Sequence, residues 1–220
     1  MNKELLEYME REILPRYERF YSHGLLHINQ VRAKCKLLAD YYHLNQDMCN
    51  VIATYHDLGL KVDRNNHEIE SGKIFMADHE LKRYFTRVQL EIMKEAIEDH
   101  RGSRKERPRN FYGEVLSDSD RDFDIEVLVK RQWATSLKNN VSLKSFEEHF
   151  EFCYKYLSKR INENGHFNLW TNNPILIERR TEFERQFLNK PFTRNLYRKE
   201  YEKIANDGTL EKILNYYEDY

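Results

Sequence analysis

Apolar positions recur at three- and four-residue spacing along most of the chain, so the elements it predicts are helices. Leu5, Leu6, Met9, Ile13 and Leu14 predict an opening helix over residues 2–20, kinked or broken by Pro15 near its end. Leu25, Ile28, Val31, Cys35, Leu38 and Tyr42 predict a second helix. Met48, Val51, Ile52 and Tyr55 predict a third, with Asn45 or Asp47 as its N-cap and Gly59 as its close. Beyond a polar loop over 61–66 comes a segment around 69–76. Val88, Ile92, Met93, Ala96 and Ile97 then predict a helix ended by Arg101-Gly102. The run 103–110, with Arg104, Lys105, Arg107, Pro108 and Arg109, reads as a loop. One further helix is expected to carry Val115, Leu116, Phe123 and Val127. Two more runs, 146–157 and 175–188, flank a stretch over 162–174 that holds Gly165 and Pro174.

Composition sharpens this picture. Only 7 Gly and 4 Pro punctuate 220 residues, which argues against a many-turned sandwich or barrel and for an all-α fold. Although 33% of the residues are charged, 15 Tyr and 12 Phe supply the apolar surface for a core. Lys+Arg 36 against Asp+Glu 37 leaves a net charge of −1, so there is no global basic field for nucleic acid or an anionic membrane. The charged start, Met1 to Glu7, lacks the apolar core of a signal peptide, and no run approaches the ~20 apolar residues of a membrane span. A cytoplasmic location with no membrane partner is expected. Cys35, Cys49 and Cys153 form an odd set without C-x-x-C spacing, which predicts buried thiols rather than disulfides or a zinc ribbon.

Seven of the nine histidines lie in the first 100 residues, which places the chemistry in the front of the chain. The expected division is a metal-binding domain over 1–135 and a helical extension over 136–220 packed on it. His56-Asp57 follows an amphipathic helix directly, so two adjacent side chains can turn toward one ion. A histidine with a carboxylate suits manganese, iron, cobalt, nickel or zinc. His27 lies next to the apolar stripe of its helix, and an inward-leaning imidazole needs a partner. Asp120 has Leu116 at i−4, Phe123 at i+3 and Val127 at i+7, which puts a carboxylate on a buried face. A cation resolves both. Asp118, roughly 160° around the same helix, is the weaker ligand.

The segments Ser22-His23-Gly24-Leu25-Leu26-His27-Ile28-Asn29-Gln30-Val31, His56-Asp57-Leu58-Gly59 and Asp118-Ser119-Asp120-Arg121 resemble, in order and spacing, those of the HD superfamily of metal-dependent phosphohydrolases. The resemblance covers roughly residues 20–130. Gln30, where many members carry Arg, and Asp122, where Leu is common, depart from the pattern and bear on the subfamily. The resemblance implies an ion held by His27, His56, Asp57 and Asp120. His67 and His100 lie in segments similar to the extra ligands of the binuclear branch, in which Asp57 would bridge two ions; His100 also falls on the buried face of its helix. His23, one turn before His27, would be a substrate contact or proton relay. His43, His79, His149 and His166 have no motif support.

The implied activity is cleavage of a phosphomonoester or phosphoanhydride, in the first instance of a nucleotide, by a metal-activated hydroxide. Asp57, His23, Lys61 and Arg104 are the expected catalytic residues. Lys61, Lys73, Arg101, Arg104 and Arg121 are the expected contacts to an anionic substrate. The same ligands serve a second reading, an HD-type diiron oxygenase. A third is a nucleotide-binding or adaptor protein with a residual metal site. The basic run over 103–110 is weak as a nucleic-acid signal and fits a loop flanking an anionic substrate equally well.

Overall fold

A computed structural model describes residues 1–17, 24–139, 145–162 and 167–206, and among these every regular element is helical. The protein is therefore all-α, with no helix long and apolar enough to cross a membrane among the described residues. The chain divides into two compact units, one made of Met1–Arg121 with Asn168–Asn173, the other of Asp122–Phe167 with Pro174–Tyr220.

In unit 1 the opening pattern becomes α1 (Lys3–Tyr8), a wider π turn over Met9–Ile13 and a tighter 3₁₀ turn over Leu14–Tyr17. Asn2 caps α1 through its side-chain oxygen, and Pro15, which has no amide hydrogen to donate, falls in the last of these turns. Helices α2 (Leu25–Tyr41) and α3 (Gln46–Tyr55) follow, the latter capped by Asn45, whose Oδ1 accepts from the Asp47 and Met48 amides. Met48, Cys49, Val51, Ile52, Ala53, Thr54 and Tyr55 are all buried, while Gln46, Asp47 and Asn50 are half-buried, so α3 is a largely buried helix of the core.

Gly59 has a different task from the one expected. It lies in the 3₁₀ turn Leu58–Lys61, after α3 has already ended. A Cβ there would fall 2.1 Å from the His67 carbonyl oxygen and 2.6 Å from the Ser71 amide, so the glycine lets this turn press against α4 (His67–Ala77). α5 (Arg87–Asp99) starts with a Thr86/Gln89 capping box, and α6 (Phe111–Asp120) is capped by Asn110. The helix expected through Val115 and Val127 is two helices. Arg121 is extended, and Asp124 Oδ1 accepts from the Glu126 and Val127 amides to start α7 (Ile125–Asn139).

Unit 2 holds α7, α8 (Phe146–Asn162), α9 (Pro174–Leu188) and α10 (Lys190–Asn206). The sequence pattern left α10 out. Its core is aromatic: the Trp133 ring lies 4.9 Å from His149, 6.0 Å from Tyr197 and 5.4 Å from Tyr201, and Phe183 stacks on Phe167 at 5.2 Å. The three cysteines are free and buried, and burial pushes the Cys35 and Cys153 thiols up to about 12.

Candidate metal centre

Five of the six expected ligands stand at helix ends. His56 and Asp57 follow α3, His67 is the first residue of α4, His100 closes α5 and Asp120 is the last residue of α6; His27 lies one turn into α2. Helix ends leave backbone carbonyls without intrahelical partners; His56 and His100 use carbonyls of this kind, and His67 one in the loop before α4. His56 Nδ1 lies 2.9 Å from the Ala53 carbonyl oxygen and His100 Nδ1 2.6 Å from that of Ile97, while His67 Nδ1 lies 3.2 Å from that of Arg64. A carbonyl can only accept, so each Nδ1 carries a hydrogen and each ring turns Nε2 inward, where it offers a lone pair whenever the ring is neutral.

These Nε2 atoms converge on two carboxylates. Asp57 Oδ2 is 3.5 Å from His27 Nε2 and 3.2 Å from His56 Nε2, while Asp57 Oδ1 is 3.5 Å from both His67 Nε2 and His100 Nε2. Asp120 Oδ1 is 3.1 Å from His27 Nε2 and 3.6 Å from His56 Nε2. Buried His56 Nε2 makes no well-aligned hydrogen bond to either carboxylate. Lone pairs facing one another at such distances repel unless a proton or a cation lies between them. Two ligands each ~2.1 Å from one ion, at tetrahedral to octahedral angles, stand about 3.0–3.4 Å apart, and the measured separations are close to that. The sets His27/His56/Asp57, His56/His100/Asp120 and Asp57/His67/His100 each bring their donor atoms within 4.8 Å of one another. The donor chemistry fits a metal ion.

Electrostatics agree with this account of the cluster. Burial alone would pull His56 down, but Asp57 and Asp120 push it well above its ordinary value. Burial works against ionisation of Asp120, yet the His27 and His56 imidazoles beside it hold its carboxyl well below the usual range. For His67, burial and then repulsion from His100 lower the value. His56, Asp57 and His100 are at most 2% exposed, whereas the Asp120 side chain is 24% exposed and marks the open side.

Among the other expected residues, His23 lies outside the described residues. Lys61 donates to the Arg16 carbonyl. Lys73 is exposed and 2.6 Å from Glu70. Arg101 donates to the Asn65 carbonyl and lies 3.3 Å from Glu68, whose other oxygen is 3.4 Å from His67 Nδ1, so it reaches the edge of the cluster. Arg104 pairs with buried Asp99 at 3.0 Å. Arg121 turns instead to the Ser117 carbonyl and hydroxyl, 3.6 Å from Asp118. In the basic loop, Arg107 pairs with Glu114 and Arg109 with Asp99 and Glu98. Asp99, Glu114 and Asp118 were not singled out as partners by sequence; for Asp118 no local signal could have served, because the Trp170 and Thr171 amides that donate to it lie 52 and 53 residues away.

No family model, no curated protein and no solved structure matches the chain. Fold and site together define an all-α protein with a buried histidine–aspartate cluster that can hold a metal ion.

Proposed function

We propose that the protein is a metal-dependent phosphohydrolase of the HD type, acting on small phosphorylated compounds and in the first instance on nucleotides. The observation that carries the reading is the division of Asp57: one carboxylate oxygen faces His27 and His56, the other His67 and His100. That arrangement suits two ions with Asp57 shared, His27, His56 and Asp120 completing one set and His67 and His100 the other. Manganese, iron, cobalt, nickel and zinc all suit this mixed nitrogen and oxygen donor set. When bound, such ions supply a Lewis acid and a water whose pKa falls from 15.7 toward roughly 7.

The chain's own contribution is placement. Carbonyls of Ala53, Ile97 and Arg64 fix three imidazoles by their Nδ1 hydrogens, so the rings keep their orientation through turnover. Burial of His56, Asp57 and His100 excludes water from the inner side and leaves the Asp120 and His67 edge for a substrate. Arg101, held at that edge by Glu68, is the cation best placed to meet a phosphoryl oxygen.

The test is phosphate release from a panel of nucleotides and phosphomonoesters by chain stripped with chelator and reloaded with manganese. Release that Asp57→Asn abolishes is expected. Iron-dependent oxygen consumption without phosphate release would replace the reading with the oxygenase one; metal uptake without any turnover would leave a binding protein.

A further inference from the structure

The carboxylate of Asp118 is fully buried, yet it belongs to none of the groups that can hold a metal ion. Its oxygens accept from the Trp170 amide at 2.9 and 3.1 Å, from the Thr171 amide at 2.9 Å and from the Thr171 hydroxyl at 2.7 Å. Those donors sit in Asn168–Asn173, the short segment that joins unit 1 after the chain has passed through residues 122–167. The segment is held a second time where the Tyr42 hydroxyl donates to the Thr171 carbonyl at 2.8 Å.

Asp118 precedes Asp120 by two residues, roughly 160° around α6, so the segment and the metal cluster grip opposite faces of one helix end. The backbone of that end is closed as well. Lys34 Nζ donates to the Arg121 carbonyl at 2.7 Å, and the Arg121 guanidinium to the Ser117 carbonyl and hydroxyl. Turning this last helical turn about its axis would move Asp120 away from His27 and His56. Such a turn must break charge-assisted hydrogen bonds to a buried carboxylate.

We propose that Asp118 is a positioning residue: its clamp on Trp170 and Thr171 sets the orientation of Asp120, so that docking of the 168–173 segment and metal binding are linked. The inference rests on Asp120 being a metal ligand. Linkage is reciprocal, so whatever factor the docked segment adds to metal affinity, bound metal adds to docking. A carboxylate that served only the stability of the fold would show no such exchange.

The experiment uses the full chain and Zn²⁺ alone. Zn²⁺ affinity is measured by competition with a chromophoric chelator for wild type, Asp118→Asn and Thr171→Val. Hydrogen exchange of the Trp170 and Thr171 amides is followed with and without Zn²⁺. Both substitutions should lower Zn²⁺ affinity by about tenfold, and Zn²⁺ should slow exchange at these two amides by a similar factor, beyond its effect on the Leu6 amide of α1. In Asp120→Asn, Zn²⁺ held by the remaining ligands should leave the two amides unchanged. If Asp118→Asn does not fold, Thr171→Val alone decides, since it keeps the side-chain shape and lies away from the cluster. Unchanged affinity in the folded variants, or slowing no greater than at Leu6, overturns the linkage while the metal centre stands. A wild-type chain that takes up no Zn²⁺ overturns the metal centre and this inference with it.

Discussion

Unit 1 encloses His56, Asp57, Asp99, His100 and Asp118 at 2% exposure or less. Unit 2 is filled by Trp133, Phe150, Phe183, Phe187 and Tyr197, and among its described residues only Ser136, His149 and Thr193 are buried polar groups. Burying a charge is costly unless a partner meets it, whereas rings stabilise by area and by their edge-to-face contacts. Within unit 1 the charges are met in two ways. Asp99 and Glu114 have arginines, and Asp118 has two amides and a hydroxyl. Asp57 and Asp120 instead have imidazole nitrogens around them. The first arrangement needs nothing further, and the second is improved by a divalent ion. The histidine–aspartate cluster of unit 1 is accordingly where single changes are expected to alter metal binding, and the aromatic core of unit 2 where they are expected to alter stability alone.

The largest effect is expected from Asp57→Asn. It replaces one of the two oxygens that face separate histidine pairs, so elemental analysis should find less than one ion per chain and phosphate release should fall below detection. Helical content by circular dichroism should persist, because Asp57 makes no part of the apolar core. Full metal content in this variant would remove the basis for treating Asp57 as the shared ligand.

Trp133→Ala tests the other side of the comparison. Truncating a fully buried indole that meets Phe146, His149, Tyr197 and Tyr201 should cost about 3–5 kcal/mol in denaturant unfolding. Metal content measured on the folded fraction should match wild type. A loss of metal in step with the loss of stability would show that the two kinds of burial are not separable.

What the sequence made legible follows the same division. His27, His56, Asp57 and Asp120 could be picked out from an apolar stripe or a helix end together with the HD resemblance, His100 from the resemblance and the buried face of its helix, and His67 from the resemblance alone. The Gly59 expectation failed because a glycine after a helix reads as a C-cap, while its actual constraint is the approach of α4, a tertiary contact. The helix assumed through Asp120 was interrupted at Arg121 because Asp124 provides a fresh N-cap, a signal present in the sequence but outweighed there by apolar spacing. α10 was overlooked although Pro191 near its start and Leu196, Tyr197 and Tyr201 at helical spacing were available. No sequence pattern could have joined Asp118 to Trp170.

Gly59→Ala should come next in size. With a Cβ 2.1 Å from the His67 carbonyl oxygen, either the 3₁₀ turn or the start of α4 must move, at a cost of about 1–3 kcal/mol. Because His67 opens α4, its ligand set should suffer first. Titration with Zn²⁺ should show the weaker of two binding events lost or shifted while the stronger remains. Two unaltered events would mean that the turn yields and His67 does not.

Metal binding should also release protons. A raised His56 value in the metal-free fold is stability present in full below its ordinary 6.5 and lost as pH rises through the folded value. The lowered Asp120 value is stability present above its ordinary 3.8 and lost as pH falls through the folded value. A ligating imidazole must be neutral, so an ion displaces the His56 proton. Affinity should therefore rise with pH from 6.5 up to the raised His56 value, by about tenfold per unit for each proton released. Calorimetry in two buffers of different ionisation heat measures the protons directly. Release of none would mean that His56 is neutral in the metal-free protein.

The smallest effect is expected from Lys73→Ala. Its ammonium is 2.6 Å from Glu70 one turn earlier on α4, and the lysine side chain is 64% exposed, so the pair is a surface one. Such pairs contribute little, and the change in unfolding free energy should stay within about 0.5 kcal/mol. Release of Glu70 adds one uncompensated negative charge to the helix that begins with His67. A modest rise in KM for an anionic substrate, with kcat unchanged, is the expected kinetic trace. A fall in kcat of tenfold or more would instead put Lys73 in contact with the reacting phosphoryl group, and would extend the chemistry of unit 1 from its buried ends onto the exposed face of α4.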